Sequence, residues 1–286
     1  MRFAVVGGDR RAALLCSLLL QDGHRVHSFA LEQAPLPAEI PKEDCLQACV
    51  YAADCVILPT PAQVGGFLNA PLSSEVLSLE ALVEALWPGQ LLCGGLLSED
   101  CCRAARRGKL HVADIMRRAD FVAGNAALTA EGAISLLMEE SERALRDSRA
   151  LVLGFGRIGK PLALSLAALG AQTAVAARDG ADRALASILG LNPLAFSQLE
   201  GLIGDFDFIV NTVPAPILSE AALCCVSPEA VLLELASPPG GYDRRLAENI
   251  GLHSLAAPGL PGRYAPYSAA LLLRTAVYGA IRELEE

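Results

Sequence analysis

The chain has 286 residues, enough for one large domain or two of ordinary size. Hydrophobic residues make up 53% and charged residues 19%, a balance that excludes a disordered chain. The net charge of −9 excludes a basic footprint for nucleic acid and names no acidic partner, since such a charge mostly serves solubility.

Phe3–Val6 reads as a strand running into Gly7-Gly8, too short an apolar run for the core of a signal peptide. Helical spacing covers Asp9–Gln21 and stops at Asp22-Gly23. Arg25–Ala30 is a second strand, and residues 31–47 are broken by Pro35, Pro37 and Pro41. Asp54–Leu58 is a buried strand that stops at Pro59-Thr60-Pro61; Ser78–Leu86 is a helix; Leu91–Cys93 is a strand ending in Gly94-Gly95. This alternation predicts a flavodoxin-like or Rossmann-like α/β domain over residues 1–125. A linking helix is expected over 129–145, with Thr129 as its cap and Glu131 in its first turn.

The second domain is expected over 126–264. Its strands are Leu151–Leu153, Thr173–Ala177, a short one near Pro193–Phe196, Phe208–Asn211, Val231–Leu235 and Leu252–Leu255. That order predicts a Rossmann-type, doubly wound parallel sheet. A last helix over Ser268–Leu284, within 265–286, is expected to return to the first domain and leave a cleft between the two.

Nine cysteines, an odd count without zinc spacing, and only four histidines predict no metal site. Read as reduced thiols, they point to the cytosol. No stretch reaches roughly 18 uninterrupted apolar residues, so no membrane span is expected.

Gly154-Phe155-Gly156-Arg157-Ile158-Gly159 sits between the strand Leu151–Leu153 and a helical pattern over Pro161–Leu169. Strand, glycine turn and helix form the arrangement that holds a dinucleotide pyrophosphate on backbone N–H groups. Gly154 permits the turn, Gly156 admits the phosphates and Gly159 lets the helix pack close to the strand. The same residues with Lys160 match the start of a triphosphate-binding loop. That loop needs Ser or Thr next, to bind Mg²⁺, and here Pro161 stands there. At the end of the second strand, Arg178 favours NADP, because a guanidinium binds a 2′-phosphate. Asp179 is the alternative, as an acidic partner of a ribose.

Asn211-Thr212-Val213-Pro214 follows the fourth strand, where a nicotinamide ring usually lies. The segments from Ser237 to Gly241 and from Ala257 to Arg263 close the next two strands at the same edge, as ligand loops or as rigid connectors. In the first domain, Gly7-Gly8-Asp9-Arg10-Arg11 lacks the third glycine of a cofactor loop. Arg10 and Arg11 at a helix start suit a small anion such as a carboxylate, and Thr60 occupies a comparable edge. None of the four histidines makes a convincing acid or base, and no nucleophile-serine pattern occurs.

These segments, with Asn125, Thr129-Ala130-Glu131-Gly132-Ala133 and Ala257-Pro258-Gly259-Leu260-Pro261-Gly262, resemble the dipicolinate synthase A-subunit family. The opening GGDRR, the TAEGA segment and the APGLPG loop are its specific parts, whereas residues 31–120 carry little of the likeness. The resemblance implies NADP-dependent oxidation of a dihydrodipicolinate to dipicolinate in spore-forming bacteria, in the cytoplasm of the mother cell. The precursor is the product of dihydrodipicolinate synthase. The resemblance also implies, as partner, the flavoprotein-like B-subunit of dipicolinate synthase, and it leaves room for a homo-oligomer. For a substrate with two carboxylates, the candidate binding residues are Arg10, Arg11, Thr60, Ser237 and Arg263. Asn125 and Glu131 are the candidates at the reacting centre, Glu131 for proton handling. The cofactor set is Gly154, Phe155, Gly156, Arg157, Ile158, Gly159, Arg178, Thr212, Val213 and Pro214, with no metal.

Two other readings compete. A 2-hydroxyacid dehydrogenase of similar shape needs a late histidine, and His253 is the one available. A dinucleotide-sensing regulator would bind the cofactor without turnover.

Overall fold

The computed structural model describes residues 1–285. The chain divides into two compact units, residues 1–125 with 265 onward, and residues 126–264.

The first unit is built on β1 (Arg2–Val6), β2 (Arg25–Phe29), β3 (Cys55–Ile57), β6 (Leu91–Gly94) and β7 (His111–Asp114). They form one parallel sheet in the order β2-β1-β3-β6-β7. A two-stranded hairpin, β4 (Gln63–Val64) with β5 (Phe67–Leu68), stands outside it. The central strands are apolar on both faces, as parallel strands covered by helices must be. Phe3, Val5 and Ile57 share a core with α1 (Arg10–Gln21) and α12 (Pro266–Glu285). Ala4, Val6, Val56 and Leu92 point the other way, into a core with α2 (Leu46–Val50), α3 (Leu79–Glu84) and α4 (Glu99–Arg107).

The second unit places β8 (Arg149–Leu153), β9 (Gln172–Ala176), β10 (Asn192–Leu194), β11 (Phe208–Asn211), β12 (Val231–Glu234) and β13 (His253–Ala256) in the order β10-β9-β8-β11-β12-β13, all parallel. The order reverses between β8 and β11, the point outside which open α/β sheets bind ligands. Val152, Val175 and Val210 pack with α6 (Gly159–Ala168), α7 (Gly180–Ile188) and the second half of α5 (Ala119–Glu139). Leu151, Leu153 and Ile209 pack with α8 (Leu199–Leu202), α9 (Glu220–Cys224) and α10 (Arg244–Asn249), and α11 (Leu260–Tyr264) closes the unit. Both sheets are thus doubly wound, and the chain is a two-domain α/β protein.

Three expectations need correction. The helix expected over 129–145 is α5, which starts ten residues earlier and ends six residues earlier. Thr129 is therefore an interior residue, not a cap. Phe121, Ala126 and Leu128 are buried, and this packing, not the propensity of a stretch holding Gly124 and Asn125, carries α5 back to Ala119. It stops because the Ser141 hydroxyl accepts the Arg143 N–H at 3.0 Å, a local turn that competes with the helix. Second, α4 and β7 occupy residues with no assigned element, although Ser98 caps α4 and Arg106 and Arg107 close it. Third, α5 has the length and hydropathy of a membrane-crossing helix although its apolar residues are not consecutive. Its Phe121 lies in the core of the first unit, and Ala133 and Leu137 lie in that of the second, which accounts for the apolar character.

Candidate functional site

The glycine turn joins β8 to α6. Gly154 takes φ +96°, a backbone conformation that side chains with a Cβ avoid, and its N–H is held by the Ala176 carbonyl at 2.8 Å. A Cβ on Gly154 would lie 2.6 Å from Thr212 Oγ1 and 2.8 Å from Val213 Cγ2. A Cβ on Gly159 would collide with the Gly154 carbonyl oxygen. Gly156 differs, because a Cβ there would meet nothing within 4 Å. Among the described residues, the N–H groups of Gly156, Arg157 and Ile158 enter none of the loop hydrogen bonds. An open glycine with free N–H groups at the start of a ten-residue helix fits a dinucleotide pyrophosphate. Phe155 is buried beneath the turn, and the Lys160 ammonium lies 5.4 Å from its ring centroid.

Thr212 latches the turn from the neighbouring strand. Its hydroxyl donates to the Leu153 carbonyl at 2.8 Å. One residue earlier, Asn211 is fully buried and faces Glu234 in strand register. Asn211 Nδ2 donates to Glu234 Oε1 at 2.7 Å and to the Val213 carbonyl at 3.0 Å, while its Oδ1 accepts the Val213 N–H at 3.0 Å. Glu234 also accepts the Ala236 N–H on Oε1 and the Gly241 N–H on Oε2, both at 2.8 Å. The loops after β11 and β12 are therefore tied through one carboxylate. Gly240 sits at φ +80°, and a Cβ on Gly241 would collide with the Asn211 amide, so both glycines allow the close approach. Sequence reasoning passed over Glu234. The available signal was a carboxylate ending the otherwise apolar strand Val231-Leu232-Leu233.

At the other end of the turn, Arg178 is exposed and stands two residues beyond β9. It is not the strand-terminal residue; Ala176 is. The Asp179 carboxylate accepts the Ala181 N–H at 2.9 Å and caps α7, which gives it a structural task. A second cation was missed: Arg183 Nη1 donates to the Ala177 and Arg178 carbonyls, each at 2.7 Å, and so fixes the backbone that carries Arg178.

In the first unit, Asp9 caps α1 by accepting the Arg11 N–H at 2.9 Å. The Arg11 side chain is 8% exposed. Its Nε donates to Asp9, and its Nη2 donates to the Thr60 carbonyl at 2.7 Å. Arg10, one residue earlier, is exposed. Gly7, Gly8, Arg11 and Thr60 line one narrow crevice of about 10 Å³, where the Thr60 hydroxyl is buried without a partner. The Gly7 and Gly8 N–H groups are held by the Phe29 and Asn69 carbonyls, both at 2.9 Å, so this glycine pair offers no phosphate cradle.

The other candidates are more scattered. Ser237 is exposed in the loop after β12 and Arg263 is exposed on α11, its guanidinium 5.2 Å from the Tyr264 ring centroid. Pro214 is exposed beyond Val213. Asn125 and Glu131 both lie on α5, Glu131 exposed and Asn125 half-buried. Six residues at about 100° each put them roughly 120° apart around the helix. His253 opens β13 in register with Val231, at the amino edge of the sheet, and pairs with Glu140 at 3.2 Å. The glycine turn lies at the carboxyl edge, so His253 does not serve it. Among the described residues no three His, Cys, Asp or Glu side chains group around a metal position.

The family profile of the dipicolinate synthase A-subunit N-terminal domain matches residues 2–116. The chain is 30% identical to the dipicolinate synthase A-subunit of Bacillus subtilis, over 100% of this chain and 97% of that one. The crystal structure of the dipicolinate synthase A-subunit from Bacillus halodurans matches at a TM-score of 0.85 and 26% identity, over 97% of this chain and 96% of the other. A transhydrogenase from Sinorhizobium meliloti shares the fold at a TM-score of 0.71 and 16% identity, over 98% and 94% of the two chains.

Proposed function

Because the chain belongs to the dipicolinate synthase A-subunit family, we propose that it binds NADP in its second unit and oxidises a dihydrodipicolinate to dipicolinate. The observation that carries this reading is the turn at Gly156, open to solvent and lined by free N–H groups. The substrate forms when the 4-hydroxyl product of dihydrodipicolinate synthase loses water. A hydride then leaves the ring for NADP⁺, a proton leaves with it, and dipicolinate and NADPH result. When bound, the cofactor supplies the hydride acceptor. Formation of an aromatic pyridine ring drives the step, so the protein mainly has to orient the partners.

The chain's own residues divide that work. The Gly156, Arg157 and Ile158 N–H groups would hold the pyrophosphate, and Thr212 keeps the turn in shape. Arg178 would pair with the 2′-phosphate, its backbone steadied by Arg183. For the dicarboxylate, Arg10 offers an exposed guanidinium fork; the Thr60 hydroxyl is buried in a crevice of about 10 Å³, room for one water and not for a carboxylate. Arg11 is engaged with Asp9 and Thr60, so we assign it to shaping that crevice. Ser237 and Arg263 are further candidates for a carboxylate. Asn125 and Glu131 lie on different faces of α5, and we assign proton handling to one of them at most. The proposed partner is the flavoprotein-like B-subunit of dipicolinate synthase, and the proposed setting is the cytoplasm of a sporulating mother cell.

The test is a turnover assay with purified protein, NADP⁺ and freshly formed dihydrodipicolinate synthase product. Dipicolinate absorbance should rise with an equal amount of NADPH. Failure of both, with the B-subunit present, would overturn the reading.

A further inference from the structure

We infer that Glu234 is a positioning residue for the nicotinamide half of the bound dinucleotide, acting by clamping the loops after β11 and β12 to each other. The inference rests on the reading that the second unit binds NADP.

Glu234 is 5% exposed and is the one buried charged side chain among the described residues of the second unit. Its hydrogen-bond partners are all neutral N–H groups: the Asn211 amide, Ala236 and Gly241. A buried carboxylate without a cation is a poor choice for packing alone, because an apolar residue would fill the space at lower desolvation cost. An acceptor with two oxygens does something an apolar residue cannot. It gathers three donors, one from the end of β11 and two from the loop after β12, into one fixed arrangement.

Those loops have a common place in the fold. They follow β11 and β12, two of the strands of the second half of a sheet in which each half serves one nucleotide of a dinucleotide. Val213 is held on both its N–H and its carbonyl by the Asn211 amide, which is itself held by Glu234. The loop from Ser237 to Gly241 is closed by Gly240 N–H to the Ser237 carbonyl at 3.1 Å and anchored at Gly241 by Glu234. The Gly241 carbonyl in turn accepts the N–H groups of Ile217 and Leu218, at 2.8 and 3.0 Å. None of these bonds reaches the loop after β9, which would carry the adenosine end. Losing the carboxylate should therefore loosen one half of the cofactor's seat and leave the other half intact.

The experiment titrates two ligands, NADP⁺ and 2′-phospho-ADP-ribose, which lacks the nicotinamide. They are titrated into the full chain as wild type, Glu234→Gln and Glu234→Asp. In Glu234→Gln an NH₂ group replaces one acceptor, and NADP⁺ should bind about tenfold more weakly. Binding of 2′-phospho-ADP-ribose should stay within about twofold, which also reports that the variant is folded. Glu234→Asp keeps the charge and should give a smaller loss, again confined to NADP⁺. It carries the comparison by itself if Glu234→Gln does not fold. Equal weakening of both ligands would mean that Glu234 only supports the fold, and no weakening of either would mean that the clamp does not touch binding; each result overturns the inference. A wild-type chain that binds neither ligand would instead overturn the NADP reading beneath it.

Discussion

Arg11 reaches across 49 residues of sequence to donate to the Thr60 carbonyl at 2.7 Å, with Asp9 closing the other side of its guanidinium. Arg10 carries the same side chain and points to solvent. Arg11→Ala should then lower stability by about 3 kcal/mol, since it strips a buried carbonyl and the capping carboxylate of their partner. Arg10→Ala should leave stability within about 0.5 kcal/mol and raise the KM for the dicarboxylate. Denaturant unfolding together with steady-state kinetics separates the two. Equal loss of stability would show that Arg10 too is structural.

Two glycines of the turn should also separate. Gly159→Ala forces a Cβ against the Gly154 carbonyl and should destabilise the chain by 1 kcal/mol or more, a range of ~1–3 kcal/mol being usual for overpacking. Gly156→Ala meets open space, so its melting temperature should match the wild type while its affinity for NADP falls. A Gly156→Ala protein that binds NADP normally would remove the phosphates from that turn.

Arg178→Ala should weaken NADP binding about tenfold to a hundredfold, the worth of one or two charge-assisted bonds, and leave NAD binding nearly unchanged. Arg183→Ala should act in the same direction but less, because it steadies only the backbone at Arg178. Competition binding with both cofactors reads each effect, and equal weakening of NAD and NADP would remove the 2′-phosphate from Arg178.

Alkaline stability should report Tyr242. Burial pushes its hydroxyl up to about 12 from 10.0, against the hydrogen bond with Ser254, which works in the opposite direction. A raised value means that the folded chain favours the protonated phenol. The stabilisation is complete below pH 10 and is lost as the pH rises through the folded value near 12. Thermal unfolding between pH 9 and 12 should therefore fall more steeply for wild type than for Tyr242→Phe. Parallel curves would contradict the assignment.

Much of this fold could be read directly from the sequence, because its signals are local. The apolar strands stop at Val6, Leu153 and Asn211, and Gly154, Gly156 and Gly159 mark one turn at fixed spacing. The start of α5 was hidden because the residue before Ala119 is Arg118, not a capping residue type, and Thr129 mimics a cap inside the helix. Arg10 and Arg11 could not be told apart, since only the capping geometry at Asp9 turns one of them inward. Glu234 showed in the sequence only as a carboxylate ending an apolar strand; its role stayed hidden because Asn211, 23 residues away, reaches it only through the β11–β12 register.

Equilibrium titration of NADP⁺ into the purified chain tests the central claim most directly. Saturable binding at one cofactor per chain is expected, tighter than for NAD⁺ and weakened in Gly156→Ala. No saturation at millimolar NADP⁺, or binding indifferent to Gly156→Ala, would contradict it.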